Sequence, residues 1–82
     1  MKIEILGTGC AKCDLLEQTA RAAADKLGVP YQLVHVQDIN EFVRRGVIFT
    51  PALILDGKVV AAGKVPAASE ISRMLSEAAA HG

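Results

Sequence analysis

Apolar and polar positions divide the chain into seven short stretches. Lys2 to Leu6 (KIEIL) is a brief β-branched run and predicts a strand. Gly7-Thr8-Gly9 breaks it. From about Ala11 to Leu27 the apolar positions Cys13, Leu16, Ala20, Ala23, Ala24 and Leu27 recur in steps of three and four, so a helix is predicted. Gly28 and Pro30 stop it. Tyr31 to Val36 (YQLVHV) predicts a second strand.

Asp38-Ile39-Asn40-Glu41 has the arrangement of a capping box, an acceptor followed three residues later by Glu. The short helix it opens is expected to turn Ile39, Phe42 and Val43 inward and to stop near Gly46. Ala52 to Leu55 and Lys58 to Ala62 read as strands joined by Asp56-Gly57, a pair that suits the two positive-φ positions of a hairpin turn. Beyond Gly63 and Pro66 a last helix runs to about Ala79, with Ile71, Met74, Leu75 and Ala78 on one side. The predicted order is β-α-β-α-β-β-α. A long helix joins the first two strands, so they are expected to be parallel with a right-handed crossover. The expected fold class is α/β, a mixed four-stranded sheet with three helices on both faces.

Composition narrows the function classes. At 82 residues a single domain is expected, with a small core and a modest stability margin. Hydrophobic residues make up 51% of the chain but aromatic ones only 4%, so Ile, Leu, Val and Ala must fill that core. Nine basic and nine acidic residues cancel. A nucleic-acid partner needs a basic excess that is missing here, and no polybasic run suits an anionic membrane. No apolar run approaches the about 18 residues of a membrane span. Met1-Lys2-Ile3-Glu4 puts charge in the first apolar run and no small-residue cleavage site follows, so no secretory leader is read.

The chemistry must then lie in Cys10-Ala11-Lys12-Cys13. A cysteine pair three residues apart closes too short a loop to be a useful structural staple. Redox pair, half of a zinc site and incidental packing all remain open for such a pair. Its location favours reactivity: it follows a strand and a glycine turn, at the predicted start of a helix. Helix N-termini carry unpaired N–H groups and partial positive charge, which stabilise a thiolate, the attacking species. Lys12 adds a cation inside the motif, and both effects are expected to lower the pKa of Cys10. Residues three apart share a helix face with Cβ atoms about 5–6 Å apart, near the about 3.5–4.5 Å of a disulfide. Cys10 precedes the helix and should be exposed; Cys13 belongs to the inward stripe and should be shielded. Cys10 is thus expected to attack a partner disulfide and Cys13 to resolve the mixed disulfide.

Cys10-Ala11-Lys12-Cys13 after the first strand, with Thr50-Pro51 before the hairpin, resembles the thioredoxin-like superfamily. Across essentially the full length, residues 1–82, the chain is similar to its small, glutaredoxin-sized branch of redox-active disulfide proteins. Ile5-Leu6-Gly7-Thr8-Gly9-Cys10 and Thr50-Pro51-Ala52-Leu53 are the phrases closest to that branch. The resemblance implies a thioredoxin-like fold and a cytoplasmic thiol–disulfide oxidoreductase of the protein-disulfide reductase type. It further implies a monomer without a cofactor, acting on protein disulfides and recharged by an upstream thiol reductase. It implies that Pro51 follows a cis bond beside the cysteines and that the Thr50 backbone pairs with an extended substrate chain. The chain departs from thioredoxins proper, where Trp precedes the first cysteine and Gly-Pro lies between the two: here Gly9 and Ala11-Lys12 stand instead. The Tyr that glutaredoxins often carry between their cysteines is missing, so the resemblance does not carry glutathione binding. Glu4 stands six residues before Cys10, where thioredoxins hold a buried acid that assists proton transfer; strand alternation alone would place it on an exposed face or rim.

Gly9-Cys10-Ala11-Lys12-Cys13 is also similar to copper-chaperone modules, and soft-metal or metalloid binding by the two thiolates is the alternative function. Those modules run β-α-β-β-α-β and end in a strand, unlike this chain. His35 reads as a rim or partly buried structural residue, His81 as part of a mobile chain end, and Arg44-Arg45 as a solvated helix end. Gly7-Thr8-Gly9 is too short for a dinucleotide-binding loop.

Overall fold

In the computed structural model the described residues are 1–9 and 11–81, the side chain of His81 excepted. Strand β1 (Lys2–Leu6) is buried from Ile3 onward, and β3 (Ala52–Leu55) is buried throughout. Strands shielded on both faces read as continuous apolar runs rather than alternating ones, as ALIL does. They are the two inner strands of a mixed sheet in the order β2-β1-β3-β4, with β2 (Gln32–Val36) and β4 (Lys58–Ala62) at its edges. β1 pairs parallel with β2, Ile5 opposite His35, and antiparallel with β3, Leu6 opposite Ala52. β3 and β4 form the antiparallel hairpin, and its register shifts between Leu53 and Ile54.

The turn residues Asp56 and Gly57 take φ values of 49° and 86°, the pairing the sequence predicts. Asp56 also ties the turn to β1. Its Oδ1 accepts the Lys2 N–H at 2.7 Å, and its own N–H donates to the Lys2 carbonyl at 2.9 Å.

Three helices complete the order β-α-β-α-β-β-α. Helix α1 (Ala11–Leu27) buries Cys13, Leu16, Ala20 and Ala24, whereas Leu27 at its end is exposed. With α3 (Ala68–His81) it covers one sheet face. Ile3, Ile5, Leu53, Leu55 and Ala61 meet Leu16, Ala20, Ala24, Ile71 and Leu75 there. Helix α2 (Ile39–Arg44) covers the other face at one end, where Phe42 and Val47 pack on Leu6, Ala52 and Ile54.

Two expectations for α2 need correcting. Ile39 and Val43 are exposed, at 64% and 73%, and Phe42 alone of the three turns inward. Asp38 does cap the helix, accepting the Asn40 N–H at 2.9 Å. The Glu41 carboxylate is instead engaged by Arg44 and Arg45, at 2.7 and 3.5 Å. Among the described residues no helix is long and apolar enough to cross a membrane.

Candidate functional site

Three pieces of chain converge at the C-terminal end of β1. The strand runs into Gly7, whose N–H donates to the Val36 carbonyl at 3.0 Å and so continues the pairing with β2. Gly9 then takes a φ of +87°, a region that favours glycine, and α1 begins at Ala11. Cys13, in the first turn of α1, is fully buried. Cys10 lies outside the described residues.

The third piece is the segment leading into β3. Its Thr50–Pro51 bond is cis, as the resemblance implies. Pro51 is fully buried, and its carbonyl accepts the Gly63 N–H at 2.9 Å from the end of β4. Thr50 is exposed, as are Ile48 and Phe49 before it.

Gly7 is where these pieces touch. A Cβ at Gly7 would overlap the Cys13 Sγ, would lie 3.2 Å from the Cys13 Cβ and would stand 4.0 Å from the Pro51 Cα. The Cys13 sulfur therefore occupies the volume that a side chain at position 7 would fill, with the Pro51 backbone beside it. Sequence reading did not assign Gly7 this role. One signal was available: strand alternation puts residue 7 on the same face as Ile3 and Ile5, the face that α1 covers.

Lys12 is exposed in the first turn of α1. Glu4 is neither on an exposed face nor at a rim: it is buried, at 3% exposure. Its Oε2 pairs with Nη1 of Arg45, just beyond α2, whose Nε also faces Glu41. The hydrogen bond from Arg45 to the Glu4 carboxylate raises the guanidinium pKa above its ordinary value against the opposing cost of burial. Arg45, itself partly exposed, thus pairs with a buried carboxylate rather than ending a helix in solvent; Arg44 is the exposed one, at 71%. On β1, Glu4 shares the α2-facing side with Leu6, opposite the side that meets α1 and Cys13. His35 is partly buried, its Nδ1 3.4 Å from Glu17 Oε1 on α1. The described residues contain no group of three or more His, Cys, Asp or Glu arranged to hold a metal ion.

A βαβαββα chain with a buried cysteine and a cis-proline segment both brought to the end of its β1 strand, at Gly7, defines a thioredoxin-like protein. The chain belongs to the thioredoxin family: the family model described as a thioredoxin domain matches residues 1–76. It is 37% identical over 76 residues to the thioredoxin of Methanothermobacter thermautotrophicus, covering 93% of this chain and 99% of that protein. It is also 37% identical over 73 residues to the thioredoxin of Methanocaldococcus jannaschii, covering 89% of this chain and 84% of that one. Thiol–disulfide oxidoreduction is the general activity that this membership supports.

Proposed function

We propose that this protein reduces protein disulfides through Cys10 and Cys13. The observation that carries the reading is the Cys13 sulfur, buried against Gly7 and beside Pro51 in a chain of the thioredoxin family. A buried thiol three residues after a second cysteine is suited to intramolecular attack and shielded from outside reagents.

The Cys10 thiolate attacks one sulfur of the partner disulfide, forming a mixed disulfide and releasing the partner's other sulfur as a thiolate. The Cys13 thiolate then attacks the Cys10 sulfur. The Cys10–Cys13 bond forms, the bond to the partner breaks, and the second partner sulfur leaves. The partner gains two electrons and two protons as a dithiol, and this chain becomes the disulfide. An upstream dithiol reductase returns the two electrons.

Lys12 lowers the pKa of Cys10 from within the motif. The backbone of Thr50, an exposed residue before Pro51, accepts an extended stretch of the partner as a short added strand. The protein works as a monomer without a cofactor, in the reducing cytoplasm where such dithiols are kept charged.

Insulin reduction driven by dithiothreitol tests the reading, with dithiothreitol standing for the upstream reductase. The unaltered chain is expected to catalyse it and Cys10→Ser to abolish it. Cys13→Ser should accumulate a mixed disulfide on Cys10. Full activity in either variant overturns the assignment.

A further inference from the structure

Gly7 is unusual among the glycines at the site. Gly9 has a left-handed φ, and among the described residues only Gln37 Nε2 comes near a Cβ placed there, at 3.8 Å. Gly7 is the reverse. Its φ lies outside the left-handed region, so its backbone would accept any L residue, and only space forbids one. That space is held by the Cys13 sulfur.

We propose that Gly7 is a positioning residue for the resolving step, setting the depth at which the Cys13 sulfur sits. The inference deepens the Cys10/Cys13 reading and rests on it. A helical cysteine has essentially two χ1 wells, because the third drives the side chain into the preceding turn. The sulfur therefore cannot yield to a Cβ by small degrees. It changes wells, moving on the order of 3 Å, or the first turn of α1 shifts away from β1. The Pro51 Cα stands 4.0 Å from the same point. Attack on the Cys10 sulfur of a mixed disulfide needs the Cys13 thiolate in line with the bond that breaks. A misplacement of about 1 Å can slow a positioned reaction by about 100-fold. Gly7 thus fixes where the second sulfur waits without touching the partner.

Two measurements on the full chain test this. In the first, reduced protein is mixed with excess 5,5′-dithiobis(2-nitrobenzoate). Attack by Cys10 releases one thionitrobenzoate and leaves the other in a mixed disulfide; attack by Cys13 then releases the second. Gly7→Ala is expected to leave the first release within about threefold and to slow the second by roughly 100-fold. A second release at the unaltered rate in folded Gly7→Ala overturns the proposal. An unaltered chain that never releases the second equivalent overturns the Cys10/Cys13 reading itself, and the role of Gly7 with it.

The second measurement is a denaturant-unfolding cycle that pairs Gly7→Ala with Cys13→Ala. It needs no redox chemistry and survives a poorly folded single variant. With the sulfur gone, the nearest atoms to the added Cβ among the described residues are the Cys13 Cβ position at 3.2 Å, a contact that a small shift relieves, and the Pro51 Cα at 4.0 Å, an ordinary van der Waals contact. Gly7→Ala should therefore destabilise the Cys13 chain clearly more than the Cys13→Ala chain. An equal loss in both backgrounds, or unfolding in both, means that the sulfur is not the obstacle and overturns the proposal.

Discussion

Tyr31, the chain's only tyrosine, lies just before β2 and donates its hydroxyl to Asp25 Oδ1 on α1, at 2.7 Å. That hydrogen bond is the largest of the causes that raise its phenol pKa above 10.0; slight desolvation and the Asp25 charge add to it, and Arg21 opposes. The folded value thus exceeds the unfolded one. Whatever the contact contributes to stability is fully present below pH 10.0 and is lost as pH rises through the raised folded value. Titration of phenolate ultraviolet absorbance should give a midpoint above 10.0, and Asp25→Ala should bring it down toward that value. A midpoint at or below 10.0 in the unaltered chain refutes this. The pairing was not legible in the sequence, because both partners lie at element ends where the chain path decides what meets. Cys13 was legible as a shielded residue, because one helical stripe carries it together with Leu16, Ala20 and Ala24. Its contact with Gly7 was not, because it depends on how closely α1 approaches the end of β1.

Among the elements, α1 and the β3–β4 hairpin follow from local signals. Seventeen residues of α1 give nearly five turns of apolar period, ended by Gly28, whose N–H bonds back to the Ala24 carbonyl at 3.1 Å. The hairpin is written in Asp56-Gly57. Helix α2 has only six residues, and apolar positions at 39, 42 and 43 fit more than one phase of so short a helix. The structure selects the phase that buries Phe42 beside Val47. Phe42→Ala should then cost about 3 kcal/mol of unfolding free energy. Ile39→Gln and Val43→Gln should each stay within about 0.5 kcal/mol, as exposed substitutions do. Losses of similar size at all three positions, measured by denaturant unfolding, would restore the inward phase for the whole apolar set.

At the scale of the molecule, the sheet divides the apolar interior into unequal parts. Among the described residues, the cluster of buried hydrophobic side chains on the α1–α3 side has ten members and the one on the α2 side five. The parallel β1–β2 pairing could be anticipated from the element order, since a long crossover helix forces that geometry, whereas the placing of β3 beside β1 rather than β2 could not. What binds α2 to the sheet could not, because Glu4 and Arg45 are far apart in sequence and nothing in either stretch names the other as its partner. Their pairing joins β1 to the end of α2, and together with Phe42 and Val47 it anchors a short helix.

A helix so held should open in a sub-global step, below the free energy at which β1 and β3 unfold. Removing one partner of a buried pair leaves an uncompensated charge. Arg45→Met should cost about 3 kcal/mol, the low end for a buried pair because Arg45 keeps 28% exposure. Adding Glu4→Leu should recover most of that loss, since an apolar pair of similar size can replace a buried ion pair at little net cost. Native-state hydrogen exchange locates the effect. In the unaltered chain the slowest amides should lie in β1 and β3 and those of α2 should exchange earlier, with Arg45→Met widening the gap. One common exchange limit for α2, β1 and β3 would mean that α2 opens only with the whole molecule, and the ion pair would then support the entire fold rather than one helix.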